Sequence, residues 1–352
     1  MSGRDRPRSR FPRRIAGSYR LGGVGELAAW RLQRTLEMRD QWNVPPELPV
    51  DAVLVRTFAP GDRKAVAALF ASAGGRPAGA VSAPGRCIAA ASGPPEHVIG
   101  YGAWWRVRPG KFRIDLLVAV GWRRRGVGSR LLGHIVSRAR AAGAATLQAR
   151  AESGQQESLG FLAARAFAET MRMHRQVLDV AQASLAPHEH ILTRLAGQGV
   201  ALPPLEDELA RREDCWEEFC RLFNAAREGW PDPDPGPVPP LTPSELLRRH
   251  KASAKKHGVG PGECFLAVRA DRYVGFTGAL GTAVDPAFRR QGIATALKLR
   301  AVISARDHGV ATLTTSTGNP AMVRVNQRLG FRLVSTEVRL VRTLQAPCDT
   351  AD

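Results

Sequence analysis

The sequence has no long apolar run. None approaches the roughly 18 consecutive apolar residues that a membrane-spanning helix needs, and the basic N-terminus has no apolar segment of the signal-peptide type behind it. We therefore expect a cytoplasmic protein with no membrane partner.

Cysteine is also scarce. The five cysteines among 352 residues are scattered and odd in number, which favours reduced thiols over a disulfide framework. The spacing of Cys215 and Cys220 suits no common zinc motif, and His188 and His190 have no companion pair nearby. These absences predict no metal site. No Cys, Ser or His lies in a nucleophile setting, which argues against a covalent enzyme intermediate.

Acidic residues are outnumbered. The chain has 51 Lys and Arg against 32 Asp and Glu, a formal net charge of +19. This balance predicts attraction to a phosphate-rich partner but does not choose among a phosphorylated cofactor, an acidic substrate and nucleic acid. The excess of arginine over lysine fits a GC-rich genome equally well. The arginines before residue 20 predict a disordered, solvated arm, with a nucleic-acid tether as the alternative, and residues 26–38 predict a helix.

The stretch from Thr282 to Lys298 changes from strand to helix chemistry within a few residues. Thr282–Val284 suits a strand end, Asp285-Pro286 breaks it, and apolar residues recur at helical spacing from Thr295. The turn at Gly292 is small enough for backbone N–H groups to approach a ligand, and these groups open a helix that favours an anion. The stretch predicts a pyrophosphate cradle, with a solvated Arg-rich turn as the alternative.

The same layout occurs earlier in the chain, from Val118 to Ser129. Arg123 lies three residues before Gly126, as Arg289 lies three residues before Gly292. Helix-ending glycines follow at Gly143 and Gly309, and strand starts follow at Thr146-Leu147 and Thr312-Leu313. This repetition favours the cradle and indicates a duplicated domain rather than a solenoid.

Further on, the chain reads Asn319-Pro-Ala-Met322-x-x-x-Asn326-x-x-Leu329-Gly330-Phe331. Together with Val-x-Pro-x-x-Arg-Arg-x-Gly-Ile-Ala before it, this pattern resembles the GNAT family of acyl-CoA N-acyltransferases. The second half matches best, and the first matches in its phosphate turn. The resemblance implies an α/β fold of two tandem GNAT-like domains, each a mixed, mostly antiparallel twisted sheet flanked by helices.

The domain boundaries follow from this arrangement. We expect a basic arm with a short helix at 1–50, a first domain at 51–187, a second domain at 188–346 and a tail at 347–352. A length of 352 residues suits two domains, each with its own core.

The resemblance implies that acyl-CoA, most specifically acetyl-CoA, binds at the turns while its pantetheine arm pairs with the preceding strand like an added strand. The implied contacts in the first domain are Val118, Val120, Arg123, Arg125, Gly126, Val127, Gly128 and Ser129. Those in the second domain are Val284, Arg289, Arg290, Gln291, Gly292, Ile293, Ala294, Thr295, Asn319 and Asn326. For Asn319, capping of a helix is the stronger expectation.

Two residues are candidates for catalysis. Asp115 lies on the strand before the first turn, where it acts as a base or orients the amine unless it is only outward-facing or structurally paired; Glu152 is a second candidate. Asn326 stands near the position where many family members carry a Tyr general acid, which Asn cannot replace as a proton donor. Val120 and Ala166 replace the family's usual Pro and Gly, which leaves open a first domain that binds CoA without chemistry.

Several local elements of the second domain are also predicted. Ile191–Leu195 is its first strand, residues 206–228 form a helical region, and Phe331–Leu344 closes its sheet. Trp216, Phe219, Leu222 and Phe223 share one face of that helical region and predict core. The Pro-rich residues 230–243 form a cover over the acceptor site or a surface connection.

The strand before the second turn has little room. A hairpin at Cys264–Arg269 and Tyr273–Ala279 is followed by only Leu280-Gly281 before Thr282. Either the strand is drawn from hairpin residues, or the second domain has an incomplete acceptor face.

The sequence therefore predicts an N-acetyltransferase that moves an acetyl group from acetyl-CoA to a primary amine of a small molecule or peptide. Transfer is direct within a ternary complex, and the protein is a monomer or homodimer. Two alternatives stay open. One is a CoA-binding pseudoenzyme or sensor, motivated by the missing Tyr and the short strand. The other is an acetyltransferase associated with protein or nucleic acid, motivated by the basic arm.

Overall fold

The computed structural model describes residues 53–72, 85–91, 97–227, 230, 232, 234, 236, 238–259 and 263–344. The basic arm, its predicted helix and the tail lie outside the described residues. Contacts divide the chain into two compact units. One takes the described residues up to Ala103 together with Leu116–Ile135, and the other takes Trp104–Asp115 and the described residues from Val136 onward. The predicted boundary after residue 187 stays a prediction.

The elements follow the repeat. Its first half gives β1 (Val53–Thr57), α1 (Arg63–Ser72), β2 (Gly85–Ala91), β3 (His97–Arg108), β4 (Lys111–Val118), α2 (Val127–Ala141), β5 (Thr146–Glu152), α3 (Gln156–Ala163) and β6 (Ala168–Asp179). The second half gives α4 (Glu189–Gly197), β7 (Val200–Ala201), α5 (Leu205–Arg211), α6 (Cys215–Arg227), α7 (Pro243–His257), β8 (Phe265–Arg269), β9 (Arg272–Gly278), β10 (Gly281–Val284), α8 (Ile293–Asp307), β11 (Thr312–Thr317), α9 (Pro320–Arg328) and β12 (Arg332–Thr343).

The larger sheet has the order β1-β2-β3-β4-β5-β12-β6-β11, and the smaller one has the order β10-β9-β8-β7. β4 and β5 pair in parallel, whereas β12 pairs antiparallel with both β5 and β6. The smaller sheet is antiparallel in its pairings. An α/β fold built on mixed, mostly antiparallel sheets with flanking helices was predicted, and the structure confirms it.

The closing strands are exchanged between the two halves. β12, from the end of the second half, lies between β5 and β6 of the first half, with Leu340 opposite Ala149. β11 of the second half pairs with β6 of the first. The prediction that Phe331–Leu344 closes the sheet of its own domain is therefore wrong. Alternating residues specify a strand and its buried face, but they do not specify which strand becomes its neighbour.

β10 is shorter than β4, its counterpart in the first half. β4 has eight residues and β10 has four, and each ends at the valine that enters its turn. Only the first three residues of β4, Lys111–Arg113, pair with β5. β10 lacks the counterpart of this segment, which explains why it forms the edge of the smaller sheet while β11 lies in the larger one. β10 has its own residues, so it is not drawn from the preceding hairpin.

Ile191–Leu195, predicted as a strand, lies in helix α4. Leu195 is fully buried, and Ile191 packs against the same core cluster one helical turn away. A short segment with apolar residues at both ends can form a strand or a helix. Here the two apolar residues four positions apart lie on one buried face of a helix. The helical region at 206–228 is also interrupted, because Arg212 has extended backbone angles between α5 and α6.

The core of the second half confirms the predicted stripe on α6. Phe219, Leu222 and Phe223 are buried, and Trp216 packs against their cluster. Phe276 of β9 stacks on Phe223 with ring centroids 5.8 Å apart. Aromatic pairs of this kind stabilise a core beyond their buried area. The stripe is thus structural, as expected.

The strand exchange predicts that the first half cannot fold alone. A fragment of residues 51–187 would leave β5 and β6 without β12 between them, exposing backbone groups and the apolar face to water. We expect this fragment to show no cooperative thermal unfolding in circular dichroism, whereas the full chain unfolds cooperatively. A fragment that melts cooperatively near the full-length midpoint would contradict this expectation.

In the full chain, Leu340→Ala should cost about 2–5 kcal/mol of unfolding free energy.

Candidate functional site

The first turn, Ala119–Ser129, connects β4 to α2. Ala119 donates its N–H to Ile99 O (2.8 Å), and the buried Trp122 ends a short 3-10 segment. Arg124 and Gly126 then have φ of 62° and 81°. Left-handed backbone at two positions reverses the chain, and at the second of them glycine avoids the Cβ penalty.

The turn presents backbone donors at the start of α2. Ser129 and Arg130 both donate N–H to Gly126 O (3.0 and 3.1 Å). Within the residues that the structure describes, the N–H groups of Gly126, Val127 and Gly128 have no backbone acceptor. The first N–H groups of a helix lack intrahelical partners and carry the positive end of its dipole. Donors in this arrangement are of the kind that can hold an anion.

The second turn, Asp285–Thr295, repeats this geometry before α8. Arg290 and Gly292 have φ of 68° and 88°, close to the values in the first turn. The Arg289 side chain donates Nε to Val284 O at 3.3 Å, and Arg123 makes the same bond to Val118 O at 3.3 Å. The duplicated sequence pattern is thus a duplicated backbone conformation.

The remaining predicted contact residues are arranged as follows. Val127, Val284, Ile293 and Thr295 are buried, so their side chains belong to the core. Val120 is 61% exposed, and the Arg125 guanidinium lies 5.5 Å from the centroid of the Trp122 ring. Arg123, Arg289 and Arg290 are exposed, as is Ser129, whereas Val118, Gly128, Gln291 and Ala294 are partly exposed. Their role in CoA binding stays a prediction.

Arg194 of α4 lies against the second turn. Its Nη2 donates to Gln291 O at 2.9 Å, and a Cβ placed on Gly292 would lie 2.7 Å from it. A second-half helix thus adds a guanidinium beside the turn. The predicted strand at these residues would not have indicated this contact.

Asn319 and Asn326 belong to α9. The Asn319 side chain caps the helix by accepting the Ala321 N–H at 2.9 Å, which confirms the capping expectation. Asn326 is 1% exposed and donates Nδ2 to Gln176 Oε1 of β6 at 2.8 Å. The roles predicted for these two residues in cofactor binding and catalysis stay predictions.

The strands β4 and β5 separate beside Asp115. Their parallel ladder ends at Arg113 opposite Gln148, so residues 114–118 of β4 have no partner on β5. Asp115 follows the last pair, and Arg150 lies within salt-bridge distance of it at 3.7 Å. In the second half, Gly281 stands three residues before the turn valine, where Asp115 stands in the first.

Side chains of β4, β5 and β12 form a charged cleft, which is defined by Arg113, Gln148, Ala149, Arg150, Glu337 and Arg339. Glu337 lies 3.6 Å from Arg150 and 2.9 Å from Arg339. Burial raises the pKa of the adjacent Asp115 carboxyl, although Arg150 and Arg113 oppose the shift. A carboxyl with a raised pKa is suited to take a proton near neutral pH.

Most of this cleft has no signal in the sequence. Arg150, Glu337 and Arg339 belong to no motif, and the exchange of β12 brings the last two beside β5. Glu152, the second catalytic candidate, lies at the exposed end of β5.

Two aspartates of the Pro-rich segment, Asp232 and Asp234, contact side chains of the larger sheet next to the charged cleft. Asp232 accepts from Arg108 Nη2 at 2.6 Å, and Asp234 accepts from Lys111 Nζ at 2.7 Å and Thr146 Oγ1 at 2.6 Å. Burial opposes ionisation of Asp234, but the bonds from Lys111, Thr146 and Gln148 outweigh it and lower its pKa. Asp234 is therefore bound beside Gln148 of the charged cleft.

Removal of the Asp234 carboxylate should loosen this segment. Asp234→Ala removes the carboxylate that accepts from Lys111, Thr146 and Gln148, and we expect a loss of about 2–4 kcal/mol of unfolding free energy at pH 7. Because the pKa of Asp234 is lowered on folding, its contribution is present above the unfolded pKa and is lost as pH falls. The difference between wild type and variant in urea denaturation should therefore shrink towards pH 3. Asp232→Ala, which removes a more exposed carboxylate, is the matched control; equal losses would contradict the assignment.

None of the helices in the described part of the chain is long and apolar enough to cross a membrane. Within the same residues, no three His, Cys, Asp or Glu side chains form a group suited to a metal ion. The absence of a metal site stays a prediction.

Comparisons with known proteins agree on the fold. An N-acetyltransferase from Sphaerobacter thermophilus, described as GCN5-related, superposes with a TM-score of 0.56 at 19% identity over 84% of this chain and 97% of its own. A tandem GNAT protein from the clavulanic acid biosynthesis pathway gives 0.55 at 20% over 84% and 99%. The GCN5-related glucosamine N-acetyltransferase region of a fungal multi-domain β-N-acetylglucosaminidase gives 0.63 at 13%, over 82% of this chain and 38% of that one. No curated protein matches the sequence significantly.

The family model described as the acetyltransferase (GNAT) family matches twice, over residues 51–167 and 216–331. These two matches include the first and the second turn and cover more than half of the chain. The chain therefore belongs to the GNAT acetyltransferase family, with two GNAT domains in tandem.

Proposed function

We propose that the protein transfers an acetyl group from acetyl-CoA to a primary amine of a small molecule or peptide, and that its first half performs the reaction. The observation that carries the proposal is on β4. This strand bears Asp115 where it separates from β5, and it leads through Val118 into the first turn.

The first turn binds the pyrophosphate of acetyl-CoA. Gly126, Val127 and Gly128 supply backbone donors, and the N-terminal end of α2 adds a positive dipole. The exposed Arg123 and Arg124 flank these donors along the chain, where a guanidinium suits a phosphate oxygen. Recognition therefore rests mainly on backbone conformation.

The pantetheine arm pairs with the free edge of β4. Residues 114–118 have no partner on β5, so their backbone groups are available for an added strand. Backbone N–H groups at the start of this edge polarise the thioester carbonyl and stabilise the charge that develops on its oxygen. The thioester then lies next to Asp115.

Asp115 acts as the general base. The ammonium of the acceptor gives a proton to the carboxylate, and the neutral amine attacks the thioester carbonyl carbon. A C–N bond forms as the C–S bond breaks, the CoA thiolate leaves, and the second proton, which the nitrogen loses as it becomes an amide, passes through water to the thiolate. The raised pKa of Asp115 brings its basicity closer to that of the amine.

The second half is assigned no chemistry. It keeps the turn geometry, but Gly281 stands where Asp115 stands in the first half, and β10 lacks the residues that would pair it with β11. The proposal makes no use of Asn326, whose amide is bonded to Gln176.

The test is release of CoA from acetyl-CoA in the presence of a panel of primary amines, detected with a thiol reagent. We expect turnover with at least one amine and a product heavier by one acetyl group in mass spectrometry. Binding of acetyl-CoA without turnover on any amine would favour the pseudoenzyme alternative. Absence of acetyl-CoA binding would overturn the proposal altogether.

A further inference from the structure

The charged cleft contains more positive than negative charge. Three guanidinium groups, those of Arg113, Arg150 and Arg339, share it with the carboxylates of Asp115 and Glu337. Arg339 lies directly opposite Arg150 in the pairing of β12 with β5. Like charges in directly opposed positions are destabilising, so this arrangement is costly unless another anion joins it.

The carboxylates are engaged mainly by two of the arginines. Glu337 lies within 3.6 Å of Arg150 and 2.9 Å of Arg339, and Asp115 lies 3.7 Å from Arg150. In the part of the chain that the structure describes, Arg113 forms no salt bridge. Its one hydrogen bond there is a long one of 3.4 Å to the neutral Gln148 Oε1.

Arg113 is half-buried among other charged groups. Burial lowers the pKa of its guanidinium, and Arg150 and Arg339 lower it further, whereas Glu337 and Asp115 act in the opposite direction. Gln148, its cross-strand neighbour, is 5% exposed. Neither carboxylate forms a salt bridge with Arg113 in the described part of the chain, so an anion in direct contact with it would offset the desolvation cost of this cation.

The neighbouring acidic group is not available as that anion. Asp234 accepts bonds from Lys111 and Thr146 at 2.7 and 2.6 Å, and Gln148 donates to it at 3.5 Å. It therefore belongs to the anchor of the Pro-rich segment. The positive charge of Arg113 remains open to the cleft.

We infer that the amine acceptor carries an anionic group, a carboxylate or a phosphate, which Arg113 binds with the support of Arg339 while the amine faces Asp115. This inference rests on the proposed function, and it adds the chemical class of the acceptor. Arg113 and Asp115 are two residues apart on β4 and so lie on the same face of the strand, about 6–7 Å apart along it. An amino acid or a short peptide with a free carboxylate spans such a distance.

The inference is tested with matched acceptors. Full-length protein and acetyl-CoA are given a primary amine that carries a carboxylate, the same amine as its carboxamide, and the corresponding phosphate ester. We expect kcat/KM for one anionic member to exceed that for the carboxamide by about 10- to 100-fold, the worth of one charge-assisted pair. The anion that gives the larger ratio identifies the group.

Arg113→Gln should remove this preference through KM. The ratio between the anionic acceptor and the carboxamide should fall towards one. Arg113→Lys keeps the charge and should retain part of the preference. Arg172→Gln, which removes an exposed arginine paired with Glu169, is the matched control and should leave the ratio unchanged. Thermal melting of each variant reports folding.

Failure of the inference and failure of the proposed function give different results. Turnover of the carboxamide at least as fast as that of its anionic partners, or an unchanged ratio in folded Arg113→Gln, would overturn the inference and leave the acetyltransferase intact. Should acetyl-CoA be bound but no amine consumed, the proposed function fails and the inference fails with it.

Discussion

Gly126→Val is expected to weaken acetyl-CoA binding by at least about 100-fold, because two or more charge-assisted hydrogen bonds to phosphate are lost. Gly126 has a φ of 81°, a region that a β-branched residue adopts only with strain. The turn must change shape to relieve that strain, and the N–H groups of Val127 and Gly128 then lose their common direction. Calorimetric titration with acetyl-CoA measures the effect directly.

Gly133→Val is the matched control for this variant. Gly133 lies on the exposed side of α2, the helix that the first turn opens, and a Cβ there meets nothing within 4 Å. We expect its acetyl-CoA affinity to stay within about threefold of wild type, because only helix propensity changes. Gly292→Val applies the same strain to the second turn. If the Gly292 variant lost turnover while the Gly126 variant kept it, the chemistry would belong to the second half, and its assignment to the first half would be wrong.

Asp115→Asn is expected to lower kcat by about 10²- to 10⁴-fold, the usual contribution of a positioned general base. Acetyl-CoA affinity should be retained, since the pyrophosphate site does not use this side chain. In wild type, kcat should fall as pH drops through the raised pKa of Asp115, above the ordinary aspartate value of about 3.9. The variant should lose this acidic limb of the profile.

The same substitution should not destabilise the protein at neutral pH. Because burial raises the pKa of Asp115 on folding, the folded state holds its proton more tightly, and stability falls as pH rises through that pKa. An asparagine avoids the cost of a buried charge, and Arg150 keeps Glu337 as a partner at 3.6 Å. We expect an equal or higher melting temperature at pH 7. A folded variant with wild-type kcat would exclude Asp115 as the base.

Local features of the site were predictable from the sequence. The positions of Gly126 and Gly292 in their repeats indicated tight turns before helices, and both glycines lie in such turns with positive φ. Such turns depend on a few consecutive residues whose steric limits are strict. The capping role of Asn319 was predictable for the same reason.

Long-range features were not predictable in this way. The exchange of β12 and the resulting approach of Glu337 and Arg339 to Arg150 depend on strand register, which no local pattern in this chain encodes. Ile191–Leu195 was misassigned because a five-residue segment with apolar residues at both ends fits a strand as well as one turn of helix. The charged cleft was visible only in the structure.

Amide hydrogen exchange of the full-length protein, with and without saturating acetyl-CoA, tests whether the first turn binds acetyl-CoA for the reaction. The measurement reports on the backbone donors themselves. We expect slower exchange in peptides that cover residues 124–129, whatever occurs at the second turn. Protection confined to residues 290–295, or no protection at either turn, would contradict the proposed role of the first turn.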